Sequence, residues 1–217
     1  MTEISVLLED LQKIATPTIA DALDRIGEPH QVAYGLRCIA GPGLKMVGTA
    51  FTVKETARRA SLEEFKIVHI LRDVKKGNVL VIDVEGYTKA STFGGLASLA
   101  AKTKGISGVV IDGACRDADE IINMQYPVFA RVAVPQTGRG RIATISSNVP
   151  VGCGEVTVYP GDVVVGDDSG IVVIPQDKLS QVVEKAKEIH ALEESARRFI
   201  AAGEEMADVQ VKVKSEL

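Results

Sequence analysis

The spacing of apolar side chains predicts helices at both ends of the chain. In residues 3–14, leucine and isoleucine recur every three or four positions, which is the spacing of one helical face. A second helix is predicted over residues 16–27, with Thr16 as its amino-terminal cap. The apolar stripe of residues 176–202 predicts a long third helix, whereas the charged residues 203–217 are expected to be loose.

The middle of the chain alternates between short apolar runs and helical patterns. Residues 47–55, 78–86 and 107–113 are rich in valine and isoleucine, as buried strands are, and residues 62–74 and 94–105 between them have helical spacing. This alternation predicts an α/β fold with parallel strands.

The remaining segments complete this picture. We expect a loop over residues 28–44, a short helix over residues 117–124, a strand over residues 127–134 and several short strands over residues 150–175. A length of 217 residues favours one layered α/β domain over residues 1–217, with residues 1–27 and 176–202 as helical arms.

Composition excludes several classes of function. A net charge of −4 and a pI near 5.5 provide no basic surface for nucleic acid, so we expect no direct nucleic-acid binding. No apolar run is long enough to span a membrane, and the amino terminus lacks a secretory signal, which predicts a cytoplasmic protein. The three cysteines and three histidines are scattered, so any metal would be bound by oxygen ligands.

The segment from Phe93 to Glu120 holds the candidate chemistry. Gly94 and Gly95 precede an alanine-rich helix, where small residues let the backbone approach a ligand and the first amides of the helix bind an anion. We expect a substrate carboxylate there. The alternative is a helix that uses glycine only to pack closely on the sheet.

Arg116 and Asp117 follow the next predicted strand and should lie at the same edge of the sheet. An arginine binds a carboxylate through two parallel hydrogen bonds, and an aspartate supplies an oxygen ligand for Mg²⁺ or Mn²⁺. The alternative is an aspartate that caps a helix beside an ion-paired arginine.

The motif formed by Gly95, twenty intervening residues, Arg116, Asp117, two residues and Glu120 resembles a known signature. It is similar to that of the RraA-like family, which contains 4-hydroxy-4-methyl-2-oxoglutarate aldolases and regulators of ribonuclease E activity. The stretches TIADALDRIG and VYPGDVVVGDDSGIVVIP also resemble that family. The resemblance implies an α-β-β-α sandwich related to swivelling phosphohistidine domains, assembled as a homotrimer or hexamer.

The resemblance further implies a lyase that depends on Mg²⁺ or Mn²⁺ and cleaves a small 2-oxo acid to pyruvate through an enolate, with oxaloacetate decarboxylase activity. It assigns substrate binding to Gly94, Gly95, Leu96, Ala97 and Arg116, metal binding to Asp117, and catalysis to Arg116, Asp117 and Glu120. Further acids would hold metal-bound waters, some across a subunit boundary; the candidates are Glu120 above all, Asp112, and a carboxyl-terminal acid such as Glu193 or Glu194. One departure is Gly95, where the aldolases often carry an acid.

Three rival interpretations remain open. Lys54, at the end of a predicted strand, is a candidate Schiff-base lysine. Cys115, beside Arg116, is a candidate nucleophile. The third rival is a non-catalytic protein of the same family that binds and regulates a ribonuclease.

Overall fold

Four parallel strands form the centre of the main sheet and determine where the functional residues lie. In a computed structural model, which describes residues 3–214, they pair side by side in the order β3 (Met46–Ala57), β4 (Asn78–Phe93), β5 (Gly108–Cys115) and β6 (Val128–Ala133). The prediction of an α/β fold with parallel strands is confirmed. The second of these strands is longer than predicted, because it continues beyond Gly86 as far as Phe93.

Antiparallel strands complete the nine-stranded sheet. Beyond β3, the sheet continues with β10 (Val163–Asp167), then β11 (Gly170–Ile174) and finally β1 (Val32–Ala33) at the edge. At the opposite edge, β2 (Arg37–Cys38) pairs with β6. The carboxyl half of β3 pairs with β7 (Ile142–Ser147), and a separate hairpin consists of β8 (Val151–Cys153) and β9 (Val156–Val158). The segment 28–44, predicted as a loop, therefore contains two short strands.

The helices are α1 (Glu3–Leu11), α2 (Thr16–Arg25), α3 (Ile67–Ile70), α4 (Gly95–Lys104), α5 (Ala118–Met124), α6 (Leu179–Ala201) and α7 (Met206–Lys214). The predicted helix over residues 62–74 is wrong in extent, since that segment forms a 3-10 turn and then the single turn α3. Of the tail expected to be loose, residues 206–214 are helical and Val209 is buried; residues 215–217 lie outside the described chain. No helix among residues 3–214 is long and apolar enough to cross a membrane.

Both groups of helices pack on the same face of the sheet. Val47 packs in the cluster that contains side chains of α1, α2 and α6, whereas Val53 packs in the cluster with side chains of α3, α4 and α5. Because the two valines are an even number of positions apart on β3, their side chains point to the same face. Met46 and Ala50 face the other way, towards the β8–β9 hairpin. The layers are therefore helices, large sheet and small sheet, and the predicted α-β-β-α sandwich is not confirmed.

Thr16 has a different role from the one predicted. Ala15, not Thr16, occupies the cap position of α2, and its side chain makes no capping hydrogen bond. Thr16 instead donates from its amide and from its hydroxyl to the carboxylate of Asp167 on β10, at 2.8 and 2.6 Å. The capping prediction is wrong because this hydroxyl fastens α2 to the sheet.

Candidate active site

Two turns meet at the carboxyl ends of β4 and β5. The first leads from Phe93 through Gly94 into α4, and the second leads from Cys115 through Arg116 into α5. Phe93 and Cys115 are partners in the parallel ladder, and the Arg116 amide donates to the Phe93 carbonyl at 2.9 Å. The sheet thus places the glycine pair beside the Arg-Asp pair, at the edge where open α/β folds collect ligands.

The carboxylate of Asp117 connects the two turns. Its Oδ2 atom accepts hydrogen bonds from the Gly95 amide at 3.0 Å and from Arg116 Nε at 3.1 Å. Asp117 precedes α5 in the left-handed conformation, with φ 55° and ψ 46°, and its side chain does not cap that helix. Asp117 thus occupies the cap position of α5 and is ion-paired with Arg116, as the alternative predicts, but its carboxylate accepts the first amide of α4 instead of an amide of α5. The strained backbone aims its carboxylate back at α4, a pattern that often marks functional sites.

Both glycines are required by close contacts rather than by backbone conformation. A Cβ atom at Gly94 would lie 2.6 Å from Asp117 Oδ2 and 2.8 Å from the Arg116 side chain. A Cβ atom at Gly95 would overlap the carboxylate of Glu120. Glu120 reaches from α5 across Gly95, so a carboxylate is present at this point although residue 95 carries none.

Only part of the predicted amide cradle is available to a ligand. The Gly95 amide is already bonded to Asp117, which corrects the expectation of a free amide there. The amides of Leu96 and Ala97 have no acceptor among residues 3–214. These two amides remain able to bind an anion at the start of α4.

A cleft of about 410 Å³ opens beside these residues. One wall is apolar and includes Phe65, Ile67 and Val68 from the segment around α3. Thr92, Arg116, Asp117 and Arg139 also line it, together with Ser91, Phe93, Gly94, Leu96, Ala97 and Thr137. An apolar cleft with a few converging polar groups is the usual form of a small-molecule site.

Arg139 is a cleft residue that the sequence motifs did not reveal. The loop that carries it is fixed, because the Gln136 carbonyl accepts from the amide and the hydroxyl of Ser91, both at 2.9 Å. Arg141 donates to the carbonyls of Thr137 and Arg139 at 3.4 and 3.3 Å. The Arg139 guanidinium itself has no hydrogen-bond or ion-pair partner in the described chain. The only sequence signal was a pair of arginines in TGRGR, which is typical of any exposed loop.

Glu55 is a buried acid behind the cleft. It has no exposed surface, its Oε1 accepts from the Thr144 hydroxyl at 2.9 Å, and its Oε2 contacts the hydroxyl of Thr92. Burial without a neighbouring cation raises the pKa of Glu55 to about 7, and the two hydroxyls lower it in part. Sequence alone did not single out this residue, since it lies in an ordinary strand pattern.

The other predicted acids lie elsewhere in this chain. Asp112 is buried, pairs with Arg131 and accepts from the Gly154 amide at 2.9 Å, so it holds the β8–β9 hairpin. Glu193 accepts from the Thr18 hydroxyl at 2.9 Å, and Glu194 pairs with Arg197. Within residues 3–214, no group of three or more histidine, cysteine, aspartate or glutamate side chains could surround a metal.

Two rival interpretations have unfavourable geometry. Lys54 lies 2.9 Å from Asp83 and 3.1 Å from Glu85; although burial lowers it, these contacts raise the pKa of Lys54 above its ordinary value. A Schiff-base lysine needs the opposite shift. Cys115 has no exposed surface, and burial raises its pKa to about 11, which disfavours a thiolate nucleophile.

Fold and cleft together define an α/β protein with a cleft at the carboxyl edge of its parallel strands. Residues 16–173 match the family model described as RraA-like, Aldolase/RraA. The chain belongs to the RraA-like family.

Individual relatives agree with this assignment. The chain is 33% identical over 89% of its length to a Halalkalibacterium halodurans protein, of which it covers 88% and which is named "Putative 4-hydroxy-4-methyl-2-oxoglutarate aldolase". It is also 33% identical over 91% of its length to the Legionella pneumophila protein DlpA, but spans only 32% of that longer protein. Streptomyces coelicolor RraAS2, described as an unusual member of the RNase ES inhibitor RraA family, matches with a TM-score of 0.80 and 29% identity; the match covers 88% of this chain and 95% of that one.

The contact between Gly95 and Glu120 yields a test of how the two turns interlock. Gly95→Ala should lower the free energy of unfolding by about 1 kcal/mol, the low end for overpacking, because the exposed Glu120 carboxylate must turn away from the added methyl group. In a Glu120→Ala background the same change should cost at least about 0.5 kcal/mol less. Urea unfolding of the four proteins measures this difference. An Asp119→Ala background is the matched control, and equal losses in all backgrounds would contradict the interlock.

The buried acid yields a second test. The folded-state pKa of Glu55, about 7, is above the ordinary value of 4.5, so the fold favours the protonated form. That stabilising contribution is complete below about pH 4.5 and is lost as the pH rises through 7. Glu55→Gln cannot ionise and should be more stable than the parent by up to about 3 kcal/mol at alkaline pH, with little difference in acid. Urea unfolding against pH measures this, with exposed Glu63→Gln as control; a pH-independent difference would refute it.

Proposed function

We propose that the chain is a divalent-metal-dependent lyase that cleaves a small 2-oxo acid to pyruvate, like a 4-hydroxy-4-methyl-2-oxoglutarate aldolase, and that also decarboxylates oxaloacetate. The observation that carries this proposal is the arrangement of Arg116 and Asp117 at the cleft. Arg116 Nε and Asp117 Oδ2 are bonded to each other. The terminal amino groups of Arg116 and the Oδ1 atom of Asp117 have no partner among residues 3–214. The names of relatives such as the Halalkalibacterium protein support the same activity.

Arg116 would bind the carboxylate of the 2-oxo acid. Its Nε atom is occupied by Asp117, while its two terminal amino groups have no partner in the described part of the chain. These groups can donate two parallel hydrogen bonds to one carboxylate, and the free amides of Leu96 and Ala97 can add further donors. The side chain is 42% exposed, so a ligand can reach it.

The residues at this point fit a Mg²⁺ or Mn²⁺ ion that retains most of its waters. Asp117 Oδ1 is unengaged among residues 3–214, and the Glu120 carboxylate lies against Gly95, whose amide is bonded to Asp117. Mg²⁺ is commonly held by one or two carboxylates and water. Asp117 would be a direct ligand, and Glu120 would hold a metal-bound water. When bound, such an ion supplies a positive charge that stabilises the negative charge developing on the 2-oxo group.

The chain itself contributes binding, orientation and exclusion of water. Arg116 neutralises the carboxylate and fixes the plane of the 2-oxo acid. The wall formed by Phe65, Ile67 and Val68 removes water from one side of the cleft, which strengthens the electrostatic contacts made there. A pyruvate enolate released by either aldol cleavage or decarboxylation would meet the same donors.

Regulation of a ribonuclease is the second candidate function. It is supported by the structural similarity to the Streptomyces protein described as a member of an RNase inhibitor family. The arrangement of Arg116 and Asp117 in a cleft, each with atoms that have no partner among residues 3–214, favours the enzyme. Binding of a protein partner on the surface does not require such a cleft.

We also propose the homotrimer or hexamer that the family resemblance implies. Large apolar side chains are exposed beside the cleft, namely Leu96 and Leu99 on α4 and Ile122 on α5. Contiguous apolar surface of this kind is typical of protein interfaces. In such an assembly, acids of a neighbouring subunit could approach the cleft; Glu193 and Glu194 remain the candidates.

Two substitutions should separate the roles of the Arg-Asp pair. Arg116→Lys loses a bidentate contact of about 2–4 kcal/mol, so kcat/KM for pyruvate release should fall about 30-fold to 1,000-fold while Mn²⁺ affinity changes less. Asp117→Asn should weaken Mn²⁺ binding and turnover together. Mn²⁺ titration and kinetics with oxaloacetate or a 4-hydroxy-2-oxo acid measure both. Full activity after EDTA treatment, or unchanged Mn²⁺ binding by Asp117→Asn, would exclude the proposed metal site.

Arg139 should select substrates with a second carboxylate, because it is a cation on an anchored loop beside the cleft and has no partner among residues 3–214. For two 4-hydroxy-2-oxo acids that differ only in a 4-carboxylate, Arg139→Ala should lower kcat/KM about 10-fold to 100-fold for the dicarboxylate alone. Arg72→Ala, an exposed arginine outside the cleft, is the control. Equal losses for both substrates would show that Arg139 has no such selectivity.

A further inference from the structure

Glu55 and Thr92 form a hydrogen-bonded pair that extends from the core to the cleft. Glu55 has no exposed surface, and Thr92 is nearly buried but lines the cleft. The Thr92 hydroxyl contacts Glu55 Oε2 directly. A register shift in the β3–β7 ladder falls between Lys54 and Glu55, which locally re-aims side chains on that strand.

The contact between Glu55 Oε1 and the Thr144 hydroxyl determines which oxygen of Glu55 carries the proton. The Thr144 hydroxyl accepts from the Lys66 amide at 2.9 Å, and Glu55 Oε1, at 2.9 Å, is its one hydrogen-bond acceptor among residues 3–214, so the Thr144 hydroxyl hydrogen is assigned to Oε1. Glu55 Oε1 is therefore an acceptor in either protonation state. A proton on Glu55 must be carried by Oε2, which is the atom that contacts Thr92.

Only one hydrogen can lie between Glu55 Oε2 and Thr92 Oγ1. When Glu55 is protonated, Oε2 donates to Thr92, and the hydroxyl hydrogen of Thr92 is free for another acceptor. When Glu55 is ionised, Thr92 donates to the carboxylate and has only lone pairs left for any other group. The two states of Glu55 therefore give Thr92 opposite hydrogen-bonding character.

We propose that Glu55 is a positioning residue whose proton decides whether Thr92 donates a hydrogen bond to an anion in the cleft. The protonated state favours a 2-oxo acid or its enolate, because Thr92 then acts as a donor. The ionised state disfavours them, because Thr92 presents lone pairs and a negative charge lies behind it. This inference rests on the proposed function in so far as the anion is the substrate of the proposed lyase.

Burial keeps both states of Glu55 accessible near neutral pH, since it raises the pKa of that carboxyl to about 7. The charged groups on the surrounding elements are paired, belong to the cleft or, like Lys66 and Lys89, are exposed. Lys54 is paired with Asp83 and Glu85, Arg58 with Glu64, and Arg141 with loop carbonyls, while the cleft contributes Arg116, Asp117 and Arg139. The titration of Glu55 is therefore governed by its burial and its two hydroxyl partners.

The first arm of the test needs neither metal nor ligand. Carbon-13 NMR follows the Glu55 carboxyl and the Thr92 side chain against pH in the metal-free full chain. We expect both signals to change with one shared midpoint near 7, and the Thr92 change to be absent in Glu55→Gln. Titration of Glu55 near its ordinary value of 4.5, or a Thr92 signal that ignores Glu55, would overturn the proposal.

The second arm measures binding of oxalate, a planar dianion that resembles the pyruvate enolate and remains ionised throughout the pH range used. With Mn²⁺ present, oxalate affinity of the parent should fall about tenfold as Glu55 ionises, which is the loss of one hydrogen bond to a charged group. Glu55→Gln, whose amide mimics the protonated acid, should bind oxalate tightly at all pH values. Thr92→Val should bind about tenfold more weakly than the parent at low pH and show a smaller step than the parent, caused by the charge of Glu55 alone.

The outcomes separate this inference from the proposed function. If oxalate fails to bind the parent at any pH, the proposed lyase site is wrong, and the shared midpoint in the first arm alone decides whether the Glu55–Thr92 pair stands. If oxalate binds and the parent shows the same pH profile as Glu55→Gln, the positioning role is refuted while the lyase proposal survives.

Discussion

The hydrogen bond from the Gly95 amide to Asp117 is the interaction on which the candidate site depends. It joins two turns that are 22 residues apart and that share only the end of the β4–β5 ladder. Through it Asp117 is held in a left-handed backbone conformation, and the side chain of Arg116 is drawn to the same carboxylate. The two glycines are a consequence, since a Cβ atom at either would displace one of the acids.

Acids near the ends of the parallel strands divide into two groups with different tasks. Asp83 and Asp112 lie within the strands, where each accepts an amide of the β8–β9 hairpin and pairs with a cation. Asp117 and Glu120 lie beyond the strand ends, and each has at least one carboxylate oxygen without a partner among residues 3–214. Helices on one face of the sheet leave the other face for the hairpin, so the first group is required to attach that second layer.

Much of the fold could be predicted because it is encoded in local patterns. Valine-rich runs and helical spacing were sufficient for the parallel strands and for α4 and α6. Thr16 could not be assigned, because its partner Asp167 is distant in sequence. The helix α7 was missed because its valines alternate with polar residues, a spacing that does not form one helical face, and because the buried residue Val209 is defined by tertiary packing. The layer order likewise depends on which face each strand presents, which local spacing does not specify.

The candidate site was predictable only where its parts follow one another along the chain. The spacing between Gly95 and Arg116 corresponds to one helix and one strand, and the fold brings both to one edge. Arg139 and Glu55 reach the same region from separate elements and carried no pattern of their own. That the Gly95 amide would be occupied by Asp117 also required the three-dimensional structure.

The interlock between Gly95 and Glu120 has an evolutionary consequence. Because an added Cβ atom at position 95 overlaps the Glu120 carboxylate, a mutation that adds a side chain there requires the Glu120 side chain to turn away or to be replaced by a smaller one. The two halves of the motif are therefore coupled, and an acid at position 95 changes where the acid at position 120 lies. The evolutionary history of this cleft is therefore best followed through paired substitutions at positions 95 and 120, where the order of the two substitutions matters as much as their identity.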